Sequence, residues 1–222
     1  MVEVTADWRS IVNEGEKNKK RFDEISEDWD KKPRRVILAE KVFKAILSSG
    51  VLQGSESAME FGCGTGLLTV QMADKLKQIT AYDVSSKMLR QLEEKIVTSG
   101  YSHIKVFEKD ISQQPDSGTY DLIFSSMTLH HIDRVDQLMD YLFQCLNPGG
   151  KIALADLEKE DGFFHDRVDG VVHHGFDRDY LKAVLLGAGF KEIRFFEAHT
   201  IQKEDDAGNL KPYGVFLLTA KK

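Results

Sequence analysis

The chain predicts an α/β fold, a mostly parallel sheet with helices on both faces, and three observations predict it. Short apolar runs alternate with amphipathic segments from Ser57 to Asp156, the order that builds a parallel sheet through helical crossovers. A glycine-rich turn, Glu60-Phe61-Gly62-Cys63-Gly64-Thr65-Gly66, follows the first run and opens a helical stretch. Gly62 to Gly66, Asp83, Asp110 and Ser125 stand just past four of these runs. In such a sheet those positions share one crevice at the carboxyl ends of the strands, where ligands bind.

Residues 1–32 are polar and charge-rich, with Phe22, Ile25 and Trp29 at helical spacing. They predict an amphipathic helix that packs as a lid on a domain spanning 33–222. Pro33 suits a first helical turn, where its missing N–H costs nothing. That helix runs to about Ser48, turns Leu38, Val42 and Ile46 inward, and ends at Gly50. Strand one is Ser57 to Phe61, with a helix over Gly66 to Leu76, and strand two is Gln78 to Asp83. Ser85 is the N-cap of a helix carrying Met88, Leu89, Leu92 and Ile96, closed by Gly100. Strand three is Ile104 to Glu108 and strand four Tyr120 to Ser125. A helix beginning near Asp133 lines up Val135, Leu138, Met139, Leu142 and Leu146 until Asn147-Pro148-Gly149-Gly150 stops it. Strand five is Lys151 to Asp156. A helix over Asp177 to Leu186 then precedes two strands, Phe190 to Phe196 and Gly214 to Ala220, joined by a polar loop at Asp205 to Asn209 as a hairpin. The count is seven strands.

The glycine spacing carries the chemistry. Glycine lets the backbone turn sharply and a ligand approach closely, and the helix behind the turn points free N–H groups at that place. The dinucleotide fingerprint has the spacing G-x-G-x-x-G. Here the third glycine comes one residue early, at Gly66, and an acid, Glu60, precedes the turn. Asp83, ending strand two, is placed to accept the hydroxyl protons of a ribose.

With these features the chain resembles the class I S-adenosylmethionine-dependent methyltransferases. The resemblance runs from about Phe22 to the C-terminus. It rests on Glu60 to Gly66, Asp83-Val84-Ser85 with Met88-Leu89, Lys109-Asp110-Ile111, Tyr120 to Ser125, and Leu146-Asn147-Pro148-Gly149-Gly150. The chain is most similar to the small-molecule branch typified by ubiquinone and menaquinone biosynthesis enzymes, which share an aromatic-Asp pair like Trp29-Asp30. The resemblance implies a Rossmann-like sheet whose last strand is inserted as part of an antiparallel hairpin, and S-adenosyl-L-methionine as cofactor. It also implies residue roles. Gly62, Gly64 and Gly66 admit the methionine part of the donor, and Glu60 orients the turn and reaches toward the donor's amino group. Asp83 takes the ribose hydroxyls, with Met88 packed near the adenine or ribose. Asp110 and the Ile111 backbone meet the adenine, Ser125 lies beside the sulfonium, and Trp29 closes from the lid.

The reaction is an in-line displacement on a sulfonium methyl, so holding the nucleophile close and aligned is the main task. Two histidine pairs, His130-His131 and His173-His174, follow strands four and five, with Asp156, Glu158 and His165 near the second. His131, His173 and His174 are the candidates to take a proton from the acceptor; bracing of the loop is the competing role for the first pair. The connection from Glu158 to Gly175 is expected to cover the acceptor. Asp161, His165, His173 and His174 match no metal-ligand spacing, and no metal is expected.

Other classes are set aside. The net charge of 30 − 36 = −6 disfavours a nucleic-acid partner. No apolar run reaches the length of a membrane span, and the first residues lack an apolar signal region, so a cytoplasmic location is the expectation. Cys63 and Cys145 make no disulfide framework. Ser125-Ser126-Met127-Thr128 stands where amino-directed nucleic-acid and glutamine methyltransferases carry Asn-Pro-Pro-Tyr or Asp-Pro-Pro-Tyr, and the cysteines of cytosine C5 and arsenite enzymes are missing. A small or lipid-like organic acceptor remains. The alternative is a non-catalytic donor-binding regulatory or partner subunit; a nicotinamide or nucleotide-sugar enzyme is a second rival. Oligomeric state is not legible.

Overall fold

The computed structural model describes residues 8–54, 56–115, 117–165, 170–204 and 208–222, with side chains from residue 16 onward. Seven strands form one sheet: β1 Ser57–Phe61, β2 Gln78–Asp83, β3 Ile104–Glu108, β4 Tyr120–Ser126, β5 Leu146–Leu157, β6 Lys191–Glu204 and β7 Leu210–Lys221. Their order is β3-β2-β1-β4-β5-β7-β6. Pairs among the first five are parallel, while β7 lies antiparallel between β5 and β6. The expected inserted hairpin strand is therefore present. The chain reverses its direction across the sheet between β1 and β4, which opens a crevice at their carboxyl ends.

Alternation along the strands gives the sheet two apolar faces. Ala58, Leu122 and Phe124 belong to one core with Leu38, Val42 and Ile46 of α2 (Pro33–Ser48), Leu68 and Met72 of α3 (Leu67–Ala73), and Leu92 of α4 (Ser86–Ser99). Met59, Phe61 and Ile123 face the other, with Leu138 and Leu142 of α5 (Val135–Cys145) and Leu181 and Leu185 of α6 (Arg178–Ala188). The capping residues act as the sequence predicts: the Ser85 hydroxyl accepts from the Met88 N–H, and Gly100 ends α4 in the left-handed region. Asp177 caps α6 by accepting from the N–H groups of Asp179 and Tyr180. Asp121 knits three strands, accepting from the Ser57 N–H and hydroxyl and from the Asn147 amide, and these donors hold its carboxyl below the usual range.

Several boundaries differ from expectation. The helix behind the glycine turn is shorter, ending at Ala73, because the chain must fold back for the Lys77 N–H to reach the Glu56 carbonyl at the foot of β1. The Asn147-Pro148-Gly149-Gly150 stretch enters β5 itself, at a register shift opposite Tyr120 and Leu122. The hairpin strands run longer than their apolar centres, since β6 gains its ladder from β7 while staying polar on the open side. The predicted connecting loop at Asp205 to Asn209 lies partly outside the described residues. At the N-terminus a longer helix, α1 (Trp8–Ile25), is followed by a 3-10 turn at Ser26–Asp28. Among the described residues no helix is long and apolar enough to cross a membrane.

Candidate active site

The carboxyl ends of β1, β2 and β4 open into a cavity of about 1190 Å³. All three glycines of the turn have a positive φ, and two of them also leave no room for a Cβ. At Gly62 (φ +64°) a Cβ would overlap the Thr128 side chain, and at Gly66 (φ +79°) it would overlap Leu92 of α4. At Gly64 (φ +54°) a Cβ would meet nothing within 4 Å. Gly62 and Gly64 line the cavity, whereas Gly66 does not: it lets α3 and α4 pack closely. The turn is pinned to β2, because Asp83 accepts from the Gly64 N–H at 2.7 Å and from the Ser85 N–H at 2.9 Å.

Burial governs the acids here. Glu60 is 2% exposed and accepts from the Thr69 hydroxyl at 2.6 Å. Burial pushes its carboxyl up to about 8, against the Thr69 hydrogen bond and with help from the negative charge of Asp83. Burial also raises Asp83, outweighing its backbone donors. The buried Cys63 thiol is driven well up by burial and by both acids, so it is no nucleophile.

Trp29, Glu60, Asp83, Met88, Asp110, Ile111 and His131 all line the cavity. Asp110 accepts from the N–H and hydroxyl of Ser112, which fixes the turn after β3. Ser125 is not among the lining residues. Its hydroxyl donates to the Phe61 carbonyl at 2.7 Å, and the alternation of β4 leaves the next residue, Ser126, on the cavity. Also absent from the lining are His173, whose Nε2 donates to the Ile132 carbonyl at 2.9 Å, and His174, whose Nδ1 lies 3.3 Å from Glu160 Oε1.

The N-terminal segment closes one wall. Arg35 stacks on the Trp29 ring at 3.5 Å, Phe22 meets Trp29 edge-on at 5.7 Å, and Phe22 meets His131 at 5.4 Å. Two acids fasten this segment. Asp30 accepts from the Thr65 hydroxyl of the glycine turn at 2.6 Å and from Lys95 of α4 at 2.5 Å. Asp23 accepts from the Ser85 hydroxyl at 2.6 Å.

Elsewhere on the cavity wall, three imidazoles gather. Ring centroids of His130 and His131 are 4.1 Å apart, and His165 lies 4.8 Å from the first and 6.3 Å from the second. All three line the cavity. His131 Nδ1 donates to the Gly170 carbonyl at 2.6 Å. Burial, aided by the neighbouring His130, pushes His131 down to about 3, and the same two causes bring His165 to about 3. The buried Asp156 meets His130 Nδ1 at 2.8 Å. Sequence reasoning passed over this pair as a unit. The signal was available, since an acid inside the apolar run Ala153-Leu154-Ala155-Asp156-Leu157 rarely stays buried without a partner. Among the described residues no group of three or more His, Cys, Asp or Glu is arranged to hold a metal ion.

A family model described as a methyltransferase domain matches residues 58–150. An uncharacterized methyltransferase of Schizosaccharomyces pombe is 30% identical over 134 residues, covering 54% of this chain and 47% of that one. An uncharacterized methyltransferase of Mycobacterium tuberculosis is 28% identical over 180 residues, covering 69% of this chain and 89% of that one. This chain thus spans about half of the yeast relative and most of the mycobacterial one. Among solved structures, the DhpI complex with S-adenosylhomocysteine superposes with a TM-score of 0.72 at 18% identity, covering 93% of this chain and 95% of that one, a likeness of fold. The chain thus carries a methyltransferase domain over residues 58–150 on a class I fold, similar to enzymes whose methyl donor is S-adenosyl-L-methionine.

Proposed function

We propose that this enzyme methylates a small organic acceptor held between the glycine turn and the histidine cluster. The observation that carries this reading is the single cavity joining the two, which at about 1190 Å³ has room for the donor and a second small molecule. The residues fit the donor. Gly64 offers an open backbone cradle, and the buried Glu60 and half-buried Asp83 line the same cavity. Glu60 and the turn take the amino acid end, Asp83 the ribose, and Met88, Asp110 and Ile111 the adenine. Gly66 and Ser125 act through packing and through the Phe61 carbonyl. When bound, the donor supplies a methyl group on a positively charged sulfur.

The acceptor end mixes apolar walls with a few polar groups, the composition of a small-molecule site. Leu38, Phe164 and Ile201 pack in one apolar cluster and line the cavity. His131 and His165, held neutral by burial, present hydrogen-bonding nitrogens there. His173 and His174 brace the connection between β5 and α6, and His131 orients the acceptor. Residues 1–32 act as a lid over the domain at 33–222, with Trp29 and Phe22 as its inner face. The enzyme's share of the reaction is alignment and exclusion of water.

The test is release of S-adenosylhomocysteine from a panel of phenols, thiols, amines and carboxylic acids. At least one class should give acceptor-dependent product in the wild type. Release from proteins or nucleic acids alone would overturn the reading.

A further inference from the structure

Only one of the three clustered imidazoles is backed by a carboxylate. Asp156 is fully buried, and its oxygens accept from His130 Nδ1 at 2.8 Å, the Leu157 N–H at 2.7 Å and the His130 N–H at 3.3 Å. An acid receiving three N–H donors is ionised, and a carboxylate can only accept. The His130 tautomer is therefore fixed, with the proton on Nδ1 and the lone pair on Nε2. The His130 backbone is held as well: its carbonyl accepts from the Val172 and His173 N–H groups.

The neighbours cannot take over this task. His131 is not joined to a carboxylate, and its Nδ1 is spent on the Gly170 carbonyl. His165 feels the positive charges of Arg21 and Lys203. Of the three rings, His130 is the one whose Nδ1 is hydrogen-bonded to a carboxylate.

We propose that His130, positioned by Asp156, is the catalytic base of the reaction, and that the acceptor is a hydroxyl compound, making this enzyme an O-methyltransferase. The proposal rests on the small-molecule reading above. A hydroxyl is a weak nucleophile until its proton leaves, whereas a thiol ionises readily and an amine attacks with its own lone pair. A buried His–Asp dyad therefore matters most for a hydroxyl. The hydroxyl proton moves to His130 Nε2 as an oxygen electron pair forms the bond to the methyl carbon. The carbon–sulfur electron pair stays on sulfur, giving neutral S-adenosylhomocysteine. The imidazolium, balanced by Asp156, returns its proton to water.

Two measurements test this. Long-range proton–nitrogen correlation spectra of the 15N-labelled wild type read the His130 tautomer without any acceptor. The proton is expected on Nδ1, and a proton on Nε2 overturns the proposal. The second compares phenol with thiophenol as acceptors under mildly alkaline conditions, where thiophenol is already largely ionised. His130→Gln and Asp156→Asn should lose at least about 100-fold in turnover of phenol while losing only a few-fold with thiophenol. Equal losses with both acceptors indicate a structural brace and overturn it, as does a wild type that methylates thiophenol and never phenol. If the wild type releases no S-adenosylhomocysteine with any acceptor, the small-molecule reading fails, whereas the tautomer judges the dyad independently.

Discussion

Burial sets the behaviour of the acid before the glycine turn. Glu60 has an ordinary value of 4.5 and is held near 8 in the fold. Its folded value lies above the unfolded one, so its contribution to stability is complete below 4.5 and is lost as pH rises toward 8. At neutral pH the free enzyme carries Glu60 mostly protonated. In the proposed pose an ammonium group approaches it, which favours the carboxylate. Binding of S-adenosylhomocysteine should therefore release a proton near neutrality and tighten as pH rises toward 8. Calorimetry in two buffers of different ionisation enthalpy reads that proton. Wild type should show the release and Glu60→Gln should not; identical proton counts would separate Glu60 from the ligand. The residue scale also marks where sequence reasoning stopped. The pattern of three glycines was visible, but which one faces open space and which ones make room for Thr128 and Leu92 depends on residues far along the chain.

Between elements, the attachment of the N-terminal segment is local and specific. Asp30 bridges the Thr65 hydroxyl and Lys95, and Lys95 also donates to the Thr65 carbonyl at 2.6 Å. The acid thus ties the residue after Trp29 to the glycine turn. Charge-assisted hydrogen bonds of this kind each contribute about 1.5–3 kcal/mol. If the segment works as a lid, Asp30→Ala should weaken S-adenosylhomocysteine binding by about 10-fold, the effect of losing roughly 1.4 kcal/mol. The variant should stay folded with a lower melting temperature, since the same hydrogen bonds stabilise the fold; calorimetry reads the affinity and thermal unfolding the stability. Unchanged affinity would remove the lid role. Strand positions from β1 to β4 were legible because each run is short, apolar and closed by a turn or cap. The hairpin lengths were not, since the outer part of β6 is polar and pairs through its backbone.

Across the molecule, the reversal of strand order between β1 and β4 collects residues from distant parts of the chain into one crevice. Glu60, Asp83 and Asp110 were identifiable because an acid at a strand end has little packing reason to be there. The acceptor side was harder to see. His130 and Asp156 stand 26 residues apart and meet only because β4 and β5 are parallel neighbours. His173 and His174, conspicuous as a pair, are not among the lining residues of the cavity; His173 bonds to the Ile132 carbonyl and His174 lies beside Glu160. The central claim is that the cavity beside the glycine turn holds the adenosyl group through Asp83. Titration of S-adenosylhomocysteine into the folded wild type and Asp83→Ala tests it most directly. The account predicts saturable one-to-one binding by the wild type and a loss of at least about 10-fold in the variant, the scale of one hydrogen bond from a charged group. Absence of binding by the wild type, or equal affinity in a well-folded Asp83→Ala, would contradict it.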